Sequence, residues 1–146
     1  MMRVLSSVAM FGLLFFCVGC GSGNLAVSGK VVFSDDKAPA PNGVICFDSG
    51  TISARGTIQS DGTFKMGSLK EADGLPPGNY KVFFIDVQEQ TGVIKGAAGE
   101  ADEPIYTSLI DIKYLSPETS GLTTEVTSTT KELSFELDRN PKFPKK

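Results

Sequence analysis

From Leu25 onward, apolar and polar residues alternate in short segments that turn residues separate. A spacing of two places successive side chains on opposite faces of a strand, so each segment predicts a β-strand with one buried face. No stretch of this region has the 3.6-residue spacing of an amphipathic helix. The predicted strands cover residues 27–33, 44–47, 53–59, 63–66, 80–87, 109–112, 121–127 and 131–138. Short strands at this spacing predict an all-β sandwich.

The turn at residues 60–62, Ser-Asp-Gly, lies between two of these strands and predicts a β-hairpin. A three-residue turn places Ile58 opposite Phe64, which keeps one face of the hairpin apolar. Gly62 is then expected in the left-handed backbone conformation, which glycine adopts without steric cost. The last two predicted strands are expected to form a second, closing hairpin.

The strand at residues 80–87 is the longest, and it is apolar on both faces. Tyr80, Val82 and Phe84 are expected to face the core. The opposite face carries Phe83, Ile85 and Val87. This composition is typical of a central strand whose outer face is covered. The cover is either a loop of this chain or a partner, and in the second case the three residues are the partner face.

Residues 89–104 are polar and rich in glycine, and the sequence predicts no regular structure for them. Long segments of this kind in a compact domain are usually binding loops or disordered. We therefore expect this segment to be the second candidate for a binding surface.

The N-terminus has the features of a lipoprotein signal peptide. Arg3 precedes an apolar run, Val4–Val18, which is too short to span a membrane comfortably. Gly19 and Cys20 then resemble the bacterial lipobox, in which the cysteine thiol is linked to diacylglycerol before cleavage. An ordinary secretory leader and a retained membrane helix are the alternatives. The predicted organisation is a signal peptide at 1–19, a lipidated cysteine and tether at 20–25, a β-sandwich at 26–139 and a basic tail at 140–146.

Composition excludes several functions. The chain has no histidine, which removes Ser-His-Asp catalysis and histidine-ligated zinc. Loss of the leader leaves 13 basic and 17 acidic residues, and this net charge of −4 does not favour nucleic-acid binding. After processing, Cys46 has no second thiol to pair with, so it is expected to be a small buried hydrophobe. We expect no enzymatic activity and no cofactor.

Three groups of side chains remain as weaker candidates. Acidic residues could bind calcium, although no calcium-loop motif contains them, and solvated acidic loops are the simpler interpretation. They are Asp35, Asp36, Asp73, Glu100, Asp102 and Glu103. Tyr80, Tyr106 and Tyr114 could stack on a sugar ring, or else they pack in the core or at a strand edge. The tail carries Arg139, Lys142, Lys145 and Lys146, and is expected to be a frayed, solubilising end or a weak contact with anionic lipid or polymer.

Three motifs in this order resemble the carboxypeptidase regulatory-like, transthyretin-like β-sandwich family. They are GKVVF at 29–33, DGTF at 61–64 and PPGNYKV at 76–82. The region 113–123 is similar to the ends of small lipoproteins that carry this domain in planctomycete-type bacteria. The resemblance covers about residues 26–138. It implies a single seven-stranded Greek-key sandwich of the transthyretin-like (prealbumin-like) type with a non-catalytic role, and it carries over no active-site residues.

The expected function is that of a non-catalytic, lipid-anchored module of the cell envelope. The protein is expected to be anchored in membrane lipid through Cys20, and its domain is expected to act as a protein-interaction or scaffold module. The alternative is an envelope polysaccharide-binding module. An extracytoplasmic location, on a bacterial membrane, follows from the leader.

Overall fold

The structure is a computed structural model that describes residues 23–143, and the predicted signal peptide, Cys20 and the last three residues lie outside this range. Nine β-strands and one short 3-10 helix (Ile112–Leu115) make up the described part. The strands are β1 Ser28–Phe33, β2 Val44–Asp48, β3 Ser53–Thr57, β4 Thr63–Lys65, β5 Gly78–Ile85, β6 Gln88–Ile94, β7 Glu103–Ser108, β8 Leu122–Val126 and β9 Glu132–Leu137.

Seven of these strands form the two sheets of a β-sandwich. The smaller sheet has the order β4-β1-β9 and the larger sheet has the order β3-β2-β5-β8. The chain passes repeatedly from one sheet to the other, and it pairs β9 with β1 in parallel. The prediction of an all-β, seven-stranded sandwich is therefore confirmed. Strands β6 and β7 form a separate two-stranded sheet.

The core lies between the two sheets, and the ring of Phe135 in β9 contacts aromatic rings from both of them. Its ring lies 6.0 Å from that of Phe47 and 6.3 Å from that of Phe84, both in the larger sheet. The Phe64 ring approaches from the smaller sheet at 6.2 Å. Aromatic rings that meet edge to face at these distances stabilise a core beyond their area burial. The alternation predicted for the first and last strands is confirmed by the buried residues of β1 and β9.

The two predicted hairpins have different outcomes. The register predicted for the first is confirmed at both ends: the Gln59 N–H donates to the Thr63 carbonyl at 2.8 Å, and Arg55 and Gly67 exchange two backbone hydrogen bonds of 2.9 Å. Between these points the two segments separate, and β3 and β4 join different sheets. β4 pairs with β1 instead, with Gly29 opposite Phe64. In a sandwich, two apolar segments can face each other across the core as well as lie side by side in one sheet. The second predicted hairpin is wrong for this reason, since β8 pairs with β5 in the larger sheet and β9 pairs with β1 in the smaller one.

Two local predictions have different outcomes. Gly62 has φ +81°, so its expected left-handed conformation is confirmed. The strand predicted at 109–112 is reduced to one antiparallel bridge between Ile110 and Arg139, because the chain turns into the 3-10 helix directly afterwards. The Asp111 carboxylate starts that helix by accepting a hydrogen bond from the Lys113 N–H at 3.0 Å.

The two ends of the sandwich differ. At the N-terminal end, Leu25 pairs with Leu75 through backbone hydrogen bonds of 2.7 and 3.0 Å. β1 and β5 begin at this end and run toward the opposite one, where β5 continues through Val87 into β6. The two-stranded sheet therefore extends from the end of the sandwich opposite to Leu25.

Candidate functional site: a projecting hairpin

Residues 88–108 form an antiparallel hairpin, here called the arm. Pairing runs from Gln88 opposite Ser108 to Ile94 opposite Glu103. The prediction of no regular structure at 89–104 is therefore wrong for the strands, although residues 95–102 do form an irregular tip. The glycines and charges of the tip hid the β-forming residues on either side of it.

The base of the arm is fixed to the sandwich. The Asn42 side chain donates to the Gln88 carbonyl at 2.9 Å and accepts from the Gln88 N–H at 3.2 Å. The Leu109 N–H donates to the Val87 carbonyl at 2.9 Å. Beyond this base the two strands contact mainly each other. A strand rise of about 3.3 Å per residue gives an arm about 20 Å long.

Four of the seven large apolar side chains exposed in the described part lie on the arm. Tyr106 and Val93 lie on one face, and Ile105 and Ile94 lie on the other, as the strand register places them. Their exposed fractions run from 42% for Ile105 to 57% for Ile94. Both faces of the arm therefore present apolar surface to solvent, which is typical of an interaction site.

Neither long edge of the arm is a regular strand edge. In β6 the register shifts between Gln90 and Gly92, so Thr91 forms a bulge. The Thr91 hydroxyl lies 2.9 Å from that of Thr107. In β7, Pro104 has no N–H to donate. Bulges and prolines at sheet edges are devices that prevent another strand from pairing there.

The arm is acidic. Residues 88–108 contain four acidic side chains and one lysine, a net charge of −3. Lys95 is bound by Asp102 at the tip, with an Nζ–Oδ2 distance of 2.6 Å. Glu89 near the base and Glu100 and Glu103 near the tip have no ion pair within residues 23–143.

Of the acidic residues considered for calcium, the four aspartates have other contacts, and that of Asp102 is the ion pair with Lys95. Asp73 accepts hydrogen bonds from the backbone N–H groups of three residues, Ser68, Leu69 and Lys70. Asp35 and Asp36 bind Arg139. Within residues 23–143, no cluster of three or more Asp, Glu or Cys side chains is placed to hold a metal ion.

The predicted partner face on the longest strand is not one surface. Phe83 and Ile85 are half-buried on the outer face of the larger sheet, but Val87 is 1% exposed and packs in the core. The cause is Asp86, whose φ of +57° ends β5 and reverses the alternation. The 3-10 helix lies against β5. The 89–104 segment, which was one candidate cover for β5, does not lie on that strand. Residues 83, 85 and 87 therefore cannot act as one face.

Three of the other candidate side chains are buried. Cys46 is 1% exposed, and burial raises the pKa of its thiol. Tyr80 is 2% exposed and its hydroxyl donates to the Pro76 carbonyl at 2.8 Å. Tyr114 is 5% exposed and its hydroxyl donates to Asp138 at 3.1 Å. Of the three tyrosines, Tyr106 alone is available for contact, at 53% exposed.

A charged cluster near the base of the arm escaped the sequence analysis. The Arg139 guanidinium lies 3.0 Å from both Asp35 and Asp36, and its carbon lies 3.6 Å from the centre of the Phe33 ring. Backbone hydrogen bonding from the Ala38 N–H, together with Arg139, lowers the pKa of Asp36. The expectation of a frayed tail is therefore wrong for Arg139.

The chain after Arg139 is also attached. Asn140 donates to the Leu109 and Ser108 carbonyls, in each case at 2.9 Å, and Phe143 packs against the core. Lysines 145 and 146 lie outside the described residues.

Asp138 is the centre of a second set of contacts beside Arg139. Its carboxylate accepts hydrogen bonds from Lys113 at 2.6 Å, Ser34 at 2.8 Å and Tyr114 at 3.1 Å. Lys113 first, then Ser34 and Tyr114, lower the pKa of Asp138 to about 2. These bonds join the 3-10 helix, the end of β1 and the end of β9, so their role is structural.

Two clefts on the described surface are lined by charged and hydroxyl-bearing side chains. One cleft of about 690 Å³ opens between β3 and β4, and its charged lining is Lys65, Glu71 and Glu132. A second cleft of about 430 Å³ is lined by hydroxyl groups with Arg55, Lys70 and Glu71. Neither contains the cysteine, and the chain has no histidine that could activate a nucleophile.

Neither a protein-family model nor a curated protein matches the chain. Two solved structures are similar in shape. The major pilin subunit of Bacillus cereus is 11% identical with a TM-score of 0.46, over 80% of this chain and 30% of the pilin chain. A 9R-lipoxygenase from Cyanothece is 17% identical with a TM-score of 0.35, over 92% of this chain and 18% of the enzyme. The chain thus spans less than a third of either protein.

The β-sandwich is accordingly established by the strand pairing of this chain itself. Residues 23–143 include no helix that is long and apolar enough to cross a membrane.

Proposed function

We propose that this chain is a non-catalytic, lipid-anchored protein of a bacterial cell envelope whose β-sandwich presents the arm to a protein partner. The arm carries the proposal, because it concentrates exposed apolar side chains on an element that contributes little to the core. Apolar surface of this kind, with charges around it, is typical of protein–protein contacts.

The position of the arm supports the anchored arrangement. Cys20, the proposed lipidation site, precedes Gly23 by three residues, and the described chain begins at the end of the sandwich opposite to the arm. A Gly/Ser tether of four residues reaches only about 12 Å. An anchor at Cys20 would hold the N-terminal end near the membrane and direct the arm away from it.

Envelope polysaccharide is the alternative ligand. The arm favours protein, because Tyr106 is the one exposed tyrosine of the described part, and a sugar site is usually built from several aromatic and polar groups. The carboxypeptidase regulatory-like type suggested by the sequence motifs is part of this proposal and implies the same non-catalytic role.

Lipidation is tested in cells with an alkyne analogue of palmitate. We expect the wild-type protein to incorporate label and remain with the membrane, and the Cys20→Ser variant to lose both properties. Cys46→Ser is the matched control, since Cys46 is buried and should leave labelling unchanged. Equal labelling of wild type and Cys20→Ser would contradict the anchor.

Partner binding is tested by cross-linking intact cells, recovering the tagged protein from membranes and identifying adducts by mass spectrometry. One recurrent protein adduct through the arm or through the tail lysines, Lys142, Lys145 and Lys146, is the expected result. Absence of a protein adduct, with the domain still retained on envelope glycan after its lipid is removed, would favour the polysaccharide alternative and reject the protein-binding role.

A further inference from the structure

We propose that the arm enters an apolar cleft of a protein partner whose rims carry lysine and arginine, and that it docks through its faces rather than by adding a strand. This inference rests on the proposed function, in which the arm binds a protein. It specifies the chemistry of the partner and the mode of docking.

The edges of the arm argue against strand addition. A partner strand would need a row of free N–H and C=O groups at regular spacing. The bulge at Thr91 interrupts that spacing in β6, and Pro104 removes a donor from β7. The edges are thus poor templates for a further strand, whereas the apolar side chains project from the faces.

Because both faces of the arm expose apolar side chains, a partner with a cleft would bury more of them than a partner with a flat surface. Tyr106 and Val93 lie on one face, and Ile105 and Ile94 lie on the other. A flat partner would bury one pair and leave the other in water. A cleft with two apolar walls would bury both pairs, at a gain of about 25 cal/mol for each Å² of apolar surface removed from water.

The acidic residues of the arm indicate that the rims of the partner's cleft are basic, and they argue against a second copy of this chain as the partner. Glu89 lies near the base of the arm, and Glu100 and Glu103 lie near its tip, all exposed and without ion pairs in the described part. Two arms would each bring a net charge of −3, so arm-to-arm association is electrostatically unfavourable. Basic residues at both ends of the cleft would complement these carboxylates.

The test places the photo-cross-linking residue p-benzoylphenylalanine in the full-length protein in its own cells. The probe replaces Tyr106 on the arm in one variant. Control variants carry it at Lys81 on the outer face of β5, or at Thr51 at the opposite end of the sandwich. We expect position 106 to give one protein adduct whose cross-linked peptide contains apolar residues with lysine or arginine nearby.

Charge reversal tests the rims. The variant Glu89→Lys, Glu100→Lys, Glu103→Lys should lower the adduct yield at position 106 at least tenfold. The matched control Glu71→Lys, Glu125→Lys, Glu132→Lys makes the same change in net charge at exposed glutamates away from the arm and should leave the yield within twofold. Pro104→Val restores a donor at the edge and should not raise the yield, because the edge does not pair.

The remaining outcomes separate two failures. An adduct with a second copy, equal losses in both charge variants, or a rise in yield with Pro104→Val would overturn the cationic cleft. Protein adducts at position 81 or 51 alone would leave a protein-binding role standing and remove it from the arm. No protein adduct at any of the three positions would reject the proposed function itself.

Discussion

Asp138 is the residue on which three separate parts of the chain depend. Lys113 of the 3-10 helix, Ser34 after β1 and Tyr114 all donate to its carboxylate. Asp138 is the last residue of the final predicted strand, but nothing in the sequence identified its partners, which lie 24 to 104 residues away. Such long-range side-chain contacts follow from the packing of elements and not from local patterns.

The Asp138 carboxylate should make stability depend on pH. Its pKa is about 2 in the folded protein, below the usual 3.8, so its contribution is present above about pH 4 and is lost as the pH falls to about 2. Asp138→Asn should lower the free energy of unfolding by about 1 kcal/mol at pH 7, since the site is half exposed. Urea denaturation of both proteins at pH 7 and pH 2 should show this difference disappear at the lower pH.

Gly62 tests the turn predicted from sequence. A Cβ at this position would lie 2.5 Å from the Val31 carbonyl oxygen and 2.9 Å from the Pro39 Cβ. Gly50 has a similar φ of +84° with no atom within 4 Å of its would-be Cβ, so it is the matched control. We expect Gly50→Ala to cost about 1 kcal/mol for the backbone and Gly62→Ala to cost at least ~2 kcal/mol more. If urea denaturation gave equal losses of unfolding free energy for Gly50→Ala and Gly62→Ala, the backbone around Gly62 would have moved to relieve the clash.

Arg139 tests whether the end of the chain is attached or frayed. Its side chain is 19% exposed and binds two carboxylates, so Arg139→Gln should lower the free energy of unfolding by about 2 kcal/mol. Lys95→Gln is the control, because that lysine pairs with Asp102 at the tip of the arm and is 84% exposed. An exposed pair is worth less than about 1 kcal/mol. If the tail were frayed at Arg139, Arg139→Gln and Lys95→Gln would lower the free energy of unfolding by equally small amounts.

At the scale of elements, alternation located the strands but not their partners. β1, β5 and β9 have the buried faces that the sequence predicts. The register predicted for β3 against β4 holds only at the two ends of that hairpin. The pairing of β8 with β9 was wrong, because adjacent segments with one apolar face suit either a hairpin or two facing sheets. The arm was missed for a different reason: its strands are exposed on both faces, so they have no buried residues to reveal an alternating pattern.

The arm should be less stable than the sandwich that carries it. A two-stranded sheet is marginal in water on its own, and this one is held mainly by its own pairing and by Asn42 at the base. Backbone N–H groups of β6 and β7 should therefore exchange with deuterium much faster than those of β2 and β5. Protection of the arm equal to that of the central strands in the isolated protein would indicate that the arm is part of the cooperative fold.

At the scale of the molecule, the sandwich separates two ends that the proposal gives different tasks. The N-terminal end lies close to the proposed lipid anchor, and the arm and the attached tail lie at the other end. The sequence predicted the class of fold, and its predictions of a leader and of a binding segment at 89–104 belong to the proposal. It could not predict their relative positions, because these depend on which sheet each strand joins.

Shortening the arm is the most direct test of the central claim, that the sandwich supports an arm which binds a protein partner. Residues 90–106 are replaced by Asn-Gly, which joins Glu89 to its opposite residue Thr107 in a tight turn. The variant is then compared with wild type by cross-linking in intact cells. The account predicts unchanged membrane attachment, a melting temperature within a few degrees of wild type, and loss of the protein adduct. An adduct of undiminished yield on the shortened protein would contradict it.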